Sequence, residues 1–114
     1  MRVFPASSDR PDGYPQDLPF VPGAEVGLEG GIDAEKDSIV LKWLRVERPL
    51  EMLQQLIGAS VRDGWTLHDD DPPATGDTGS VRRLCFVRGA RERVIEAVQA
   101  AEFSFVTLTD RPAQ

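Results

Sequence analysis

Apolar positions along the chain fall into distinct periods. From Ile39 to Val46 only Lys42 and Arg45 interrupt an apolar run rich in β-branched and aromatic residues. That pattern predicts a strand covered on both faces for much of its length. Pro49 suits the first turn of a helix, where a missing N–H costs nothing. Leu50, Leu53, Leu56, Ile57 and Val61 then recur at spacings of three and four. They predict one apolar helical stripe, with Glu51, Gln54, Gln55 and Arg62 in water. Gly64 is expected to end the helix in the left-handed conformation. Short strands are predicted over 65–68, 81–87 and 103–109. The Asp-, Pro- and Gly-rich stretch 69–79 between the first two reads as a loop.

The segment 90–101 satisfies two patterns. Its residues are mostly strong helix formers, and Val94, Ala97, Val98 and Ala101 make a helical stripe beside Ile95. Gly89 would cap that helix, and Glu92 would favour the positive end of its dipole. Read as a strand, Arg93, Ile95 and Ala97 share one face and Val94, Glu96 and Val98 the other, which is a poorer alternation. The helix reading gives the order strand–helix–strand–strand–helix–strand. The expected class is therefore α+β, a ferredoxin-like βαββαβ sandwich with an antiparallel sheet and both helices on one face. The alternative is one helix on a four- to five-stranded meander.

Residues 1–37 differ from the rest. Pro5, Pro11, Pro15, Pro19 and Pro22 block helix and central strand alike. The expected organisation is a flexible tail over 1–17, an extended Pro/Gly-rich arm over 18–37, the α+β domain over 38–110 and a short tail over 111–114. Leu18, Phe20 and Val21 sit between prolines, and an arm packing these side chains onto the domain is the preferred reading. A recognition segment for a partner, with Phe20 in contact, is the sharper one.

The segment Leu18-Pro19-Phe20-Val21-Pro22-Gly23-Ala24, followed by a strand, a helix and Asp63-Gly64-Trp65, resembles a pattern in small bacterial α+β domains. Those domains carry an "LPxxPGA" arm and a "GW" after their main helix. The resemblance covers roughly residues 18–88 and brings no activity with it. It implies a strand after Gly89, where the Ala- and Glu-rich segment of this chain departs from the pattern. Many such domains look secreted or lipid-anchored, a location that does not carry over to a chain without a signal peptide.

Composition narrows the function classes. In 114 residues, 40% hydrophobic and 28% charged content fits one globular domain. Thirteen basic against 19 acidic residues leave a net charge of -6, which opposes generic affinity for nucleic acid or anionic lipid. No apolar leader and no window of membrane-spanning length is found, and a lone Cys85 forms no internal disulfide. A cytoplasmic, soluble protein is expected.

Chemistry-bearing residues are sparse. His68 is the single imidazole. The run His68-Asp69-Asp70-Asp71 lacks metal-ligand spacing, because successive residues in an extended chain point to opposite sides. Gly27-x-x-Gly30-Gly31 has no strand leading into it and no helix after it, so it is no dinucleotide fingerprint. No catalytic residue, metal or cofactor is assigned. One basic stretch stands out in an acidic chain: Arg82, Arg83, Arg88, Arg91 and Arg93, with Glu92 among them. In a ferredoxin-like fold Trp43 would also lie on a sheet face that the helices leave bare. The binding candidates are therefore Trp43, Phe20, Arg82, Arg83, Arg88 and Arg91. The expected function is a non-enzymatic protein-interaction module, with a protein partner or a second copy. A domain binding a small anionic ligand is the alternative, and an RNA-binding or enzymatic domain ranks behind both.

Overall fold

In the computed structural model of the chain, residues 2–30, 38–70, 74–76 and 79–113 are described, with 74–76 described for backbone alone. The strands are β1 (Arg2–Phe4), β2 (Val26–Gly30), β3 (Ile39–Leu44), β4 (Thr66–Asp70), β5 (Ala74–Gly76), β6 (Gly79–Arg88), β7 (Arg91–Ala100) and β8 (Ser104–Pro112), and the helix α1 spans Pro49–Arg62. One antiparallel sheet runs in the order β1-β2-β3-β8-β7-β6-β4, and β5 pairs with β6 beyond β4. With every neighbouring pair antiparallel, β3 and β4 point the same way. Helix α1 is therefore a crossover spanning β8, β7 and β6, and it packs on β7 and β8.

This architecture corrects the ferredoxin-like α+β expectation. Residues 91–100 form a strand paired along both edges, with β6 and with β8. Gly89, expected as a helix cap, sits instead at φ +59 in the two-residue turn joining β6 to β7. A glycine with positive φ at the first turn position matches a tight hairpin connection. Ten consecutive cross-strand partners on the β6 side outweigh the helical propensity of Ala, Glu and Gln. The one-helix alternative also falls short, because among the described residues the sheet has eight strands rather than four or five.

The covered face of the sheet follows from the register. Val26, Trp43, Val106 and Ala97 form one row across β2, β3, β8 and β7, and Leu28, Leu41, Leu108, Ile95 and Leu84 form the next. All nine are buried. Helix α1 starts with Pro49 and ends before Gly64 at φ +88, as the sequence suggested. Its buried stripe is Pro49, Met52, Leu53, Leu56 and Ser60. The helix is thus rotated from the expected stripe, and Leu50 and Val61 are exposed.

The N-terminal residues complete the same layer. The expected tail over 1–17 contributes β1 and a buried Tyr14. Tyr14 meets the rings of Phe4 and Phe20 edge-on, and its hydroxyl donates to the carbonyl of Pro19. Arg10 lies over Tyr14 and donates to the carbonyls of Pro15, at 2.7 Å, and Leu18, at 2.9 Å. Pro19, Phe20 and Val21 face Gln55, Leu56 and Ala59 of α1 across a cleft of about 260 Å³, and Leu18, Val21 and Leu56 are buried in one cluster. Residues 18–24 therefore share the helix side of the sheet, and among the described residues no segment is laid over the other side. At the far end β8 continues to Pro112, and Ala113 donates its N–H to Ala90. The expected loop over 69–79 is corrected where it is described, since Asp69 and Asp70 belong to β4, 74–76 pair as β5 and Gly79 opens β6, while 71–73 and 77–78 lie outside the described residues.

Candidate interaction surface

The open face has a row pattern set by the register. Leu44, Phe105, Val98 and Val81 lie side by side across β3, β8, β7 and β6. The next row is Lys42, Thr107, Glu96 and Arg83, followed by Val40, Thr109, Val94 and Cys85. Arg111, Glu92 and Val87 make the last. Each row is two residues from the next along every strand, so all lie on one face, and on it apolar and charged rows alternate. The apolar end is the most exposed. Leu44 is 52% exposed, and Phe103, 59% exposed, stacks on Phe105 at 6.0 Å with rings 10° from parallel. Lys42 Nζ sits 4.8 Å above the Phe105 ring. Glu92 accepts from Arg111 Nε.

The six sequence-derived candidates do not form one site. Trp43 has no exposed surface, since it lies in the covered row between Val26 and Val106. Its indole N–H has no acceptor among the described residues, so it acts as packing. Phe20 is half-buried against Tyr14 beside the helix. The arginines divide by alternation. Arg83 belongs to the open face, whereas Arg82, Arg88 and Arg91 lie on the helix side. Arg82 Nη2 pairs with Asp70 Oδ2 at 2.9 Å. Arg88 lies over the Trp65 ring and donates to the carbonyl of Asp63 at 2.9 Å, at the end of the helix. A continuous basic strip of the kind that tracks a phosphate backbone is therefore not assembled.

Arg93, not among the candidates, is the most constrained cation. It is fully buried, with Nε 2.8 Å from Asp110 Oδ1, Nη2 3.1 Å from Asp110 Oδ2 and Nη1 3.0 Å from Ser60 Oγ. Its guanidinium lies 4.3 Å from the centre of the Trp65 ring, the indole that Arg88 also meets, at 4.8 Å. The two-pronged pair spans β7 and β8, and Ser60 ties it to α1. This arrangement fixes the end of the helix on the sheet.

Other reactive groups stay apart. Among the described residues no group of three His, Cys, Asp or Glu side chains is placed to hold a metal ion. His68, Asp69 and Asp70 are exposed on the edge strand β4, which carries a bulge between Leu67 and Asp69. Burial pushes the Cys85 thiol above its ordinary range, and Glu92 beside it adds to that effect. A shallow cleft of about 650 Å³ separates 21–25 from the start of α1, bounded by Leu44, Arg48 and Met52. A second, of about 400 Å³, runs between α1 and β6–β7. Nothing along the chain marks Phe103, Phe105, Leu44 and Val98 as one patch. The i, i+2 spacing of Phe103 and Phe105 was the available signal, and it needed the strand pairing to be read.

Among the described residues no helix is long and apolar enough to cross a membrane. The chain matches no protein-family model, no curated protein and no solved structure.

Proposed function

We propose that this chain is a non-enzymatic self-associating module, and that its partner is a second copy docked on the open sheet face. The row Leu44, Phe105, Val98 and Val81, extended by Phe103, is the observation that carries this reading. It is an apolar band bordered by a charged row, the composition of an interaction patch with a polar rim. Two further features favour a copy over an unrelated protein. The face carries Lys42, Arg83 and Arg111 beside Glu29, Glu92, Glu96 and Asp69, three basic against four acidic groups, so its charge is close to balanced within a chain of net -6. Two such faces approach without the repulsion that the rest of the surface would impose.

The second feature is the state of the edges. β1 is three residues long, and β4 combines a bulge with exposed Asp69 and Asp70. Short, bulged and charged edges resist strand-to-strand pairing. Face-to-face packing at about 10 Å separation is then the available mode. The molecule measures 41 by 31 Å in its two longer dimensions, ample for the roughly 800 Å² per partner of a standard interface.

Sedimentation velocity over a wide concentration range tests the reading. The wild-type chain is expected to sediment as a dimer, and Phe105→Glu as a folded monomer. A wild-type monomer at the highest concentration, or a dimer untouched by Phe105→Glu, would overturn it.

A further inference from the structure

The helix side of the sheet has an incomplete cover of its own. In the row Val26, Trp43, Val106, Ala97, Arg82, the alanine follows three larger side chains just where α1 crosses. The shortfall in side-chain volume leaves the groove of about 400 Å³ between the helix flank and β6–β7. Leu50, Leu53 and Ile57 form its helix wall and Ala97 its floor, while Ser80, Arg82 and Gln99 stand on the sheet side. Leu50 is 52% exposed there, although it opens an otherwise well-packed helix. A concave, mainly apolar groove with a few converging polar groups is the usual form of a small-molecule site.

Charge selects the ligand. Among the described residues lining the groove, Arg82 is the charged one. Its contact with Asp70 is a partly exposed pair, and such pairs contribute little and exchange readily. A carboxylate arriving on an apolar tail would meet the same guanidinium in a less hydrated setting, where a charge-assisted hydrogen bond is stronger. We infer that this groove binds an aliphatic carboxylate, with its chain along Leu50, Leu53 and Ile57 over Ala97 and its head group on Arg82. The site lies on the opposite side of the sheet from the self-association face and does not depend on it.

Titration of the full-length chain with octanoate, octanol and octylammonium, followed through backbone amide NMR shifts, tests this. Octanoate is expected to perturb residues of α1 and β6–β7 around the groove and to bind roughly tenfold more tightly than octylammonium. Arg82→Gln should abolish that preference. Gln54→Glu, an exposed change at the rim, should weaken octanoate and strengthen octylammonium. Equal affinity for the two ions, shifts confined to the open sheet face, or no shift with octanoate would each overturn the proposal.

Discussion

Two side chains show how burial sets chemistry at the level of single residues. Arg93 has no exposed surface and is matched by one carboxylate, Asp110, and one hydroxyl, Ser60. Removing one partner of a buried pair leaves an uncompensated charge, so Asp110→Ala should cost about 3–5 kcal/mol in urea unfolding. The double change Arg93→Met with Asp110→Leu should recover most of that loss, because apolar residues of similar volume replace a buried pair at little net cost. Tyr14 offers a cleaner readout, since it is the single tyrosine. Burial raises its phenol from 10.0 to about 12, against a smaller opposing effect of Arg10. The unfolded chain therefore ionises first as pH rises. Tyr14's contribution to stability is intact below pH 10 and is lost between pH 10 and about 12. Absorbance titration should place its transition near 12 when folded and near 10 in urea, and Tyr14→Phe should remove this share of the alkaline loss. None of this was legible in the sequence. Arg93 is one of several arginines between 82 and 93, and nothing marks it as the buried one until β7 and β8 are paired.

At the level of elements, the strand β3, the helix boundaries at Pro49 and Gly64, and the strands β4, β6 and β8 were readable from periodicity and punctuation. β7 was not. Its composition favours a helix locally, but its edges are both claimed by long neighbouring strands, and pairing on two sides overrides propensity. Arg93 at an inward position also disguised the alternation, because its partner Asp110 lies 17 residues away. The helix rotation has a similar origin: Ser60 turns inward to reach Arg93, and Val61 turns outward. The β6–β7 pairing carries its own prediction. Gly79 sits at φ +137, and a Cβ there would lie 2.0 Å from the Gln99 carbonyl oxygen across the ladder. Gly79→Ala should therefore destabilise the protein by about 1–3 kcal/mol, read as a lower urea midpoint.

For the whole molecule, the sheet divides the chain into a finished and an unfinished side. Helix α1 and the residues before β2 together cover one face, and the latter do so as an integral layer because Phe4, Tyr14 and Leu18 are buried with Trp43 and Leu56 in one cluster. The apolar side chains of the sheet are divided between that cluster and the open face. Exposed Val3, Leu44 and Phe103 fall with the open face, whereas Leu50 and Val61 belong to α1 and Leu67 lies on the helix side of β4. Single charged substitutions on the open face, such as Val98→Glu, should cost the isolated chain only about 1 kcal/mol at concentrations below association, the scale of the cross-strand contacts with Phe105 and Val81 that it removes. At higher concentration the same variant should lose the extra stability that a folded partner confers by mass action. Denaturation at two protein concentrations separates the two effects.

The most direct measurement is an isotope-filtered NOE experiment on an equal mixture of labelled and unlabelled chains at high concentration. Contacts between copies are expected from the rings of Phe103 and Phe105 to the methyl groups of Leu44, Val81 or Val98. Absence of any inter-copy contact from these side chains, with tumbling that fits a 12.6 kDa particle, would contradict the account.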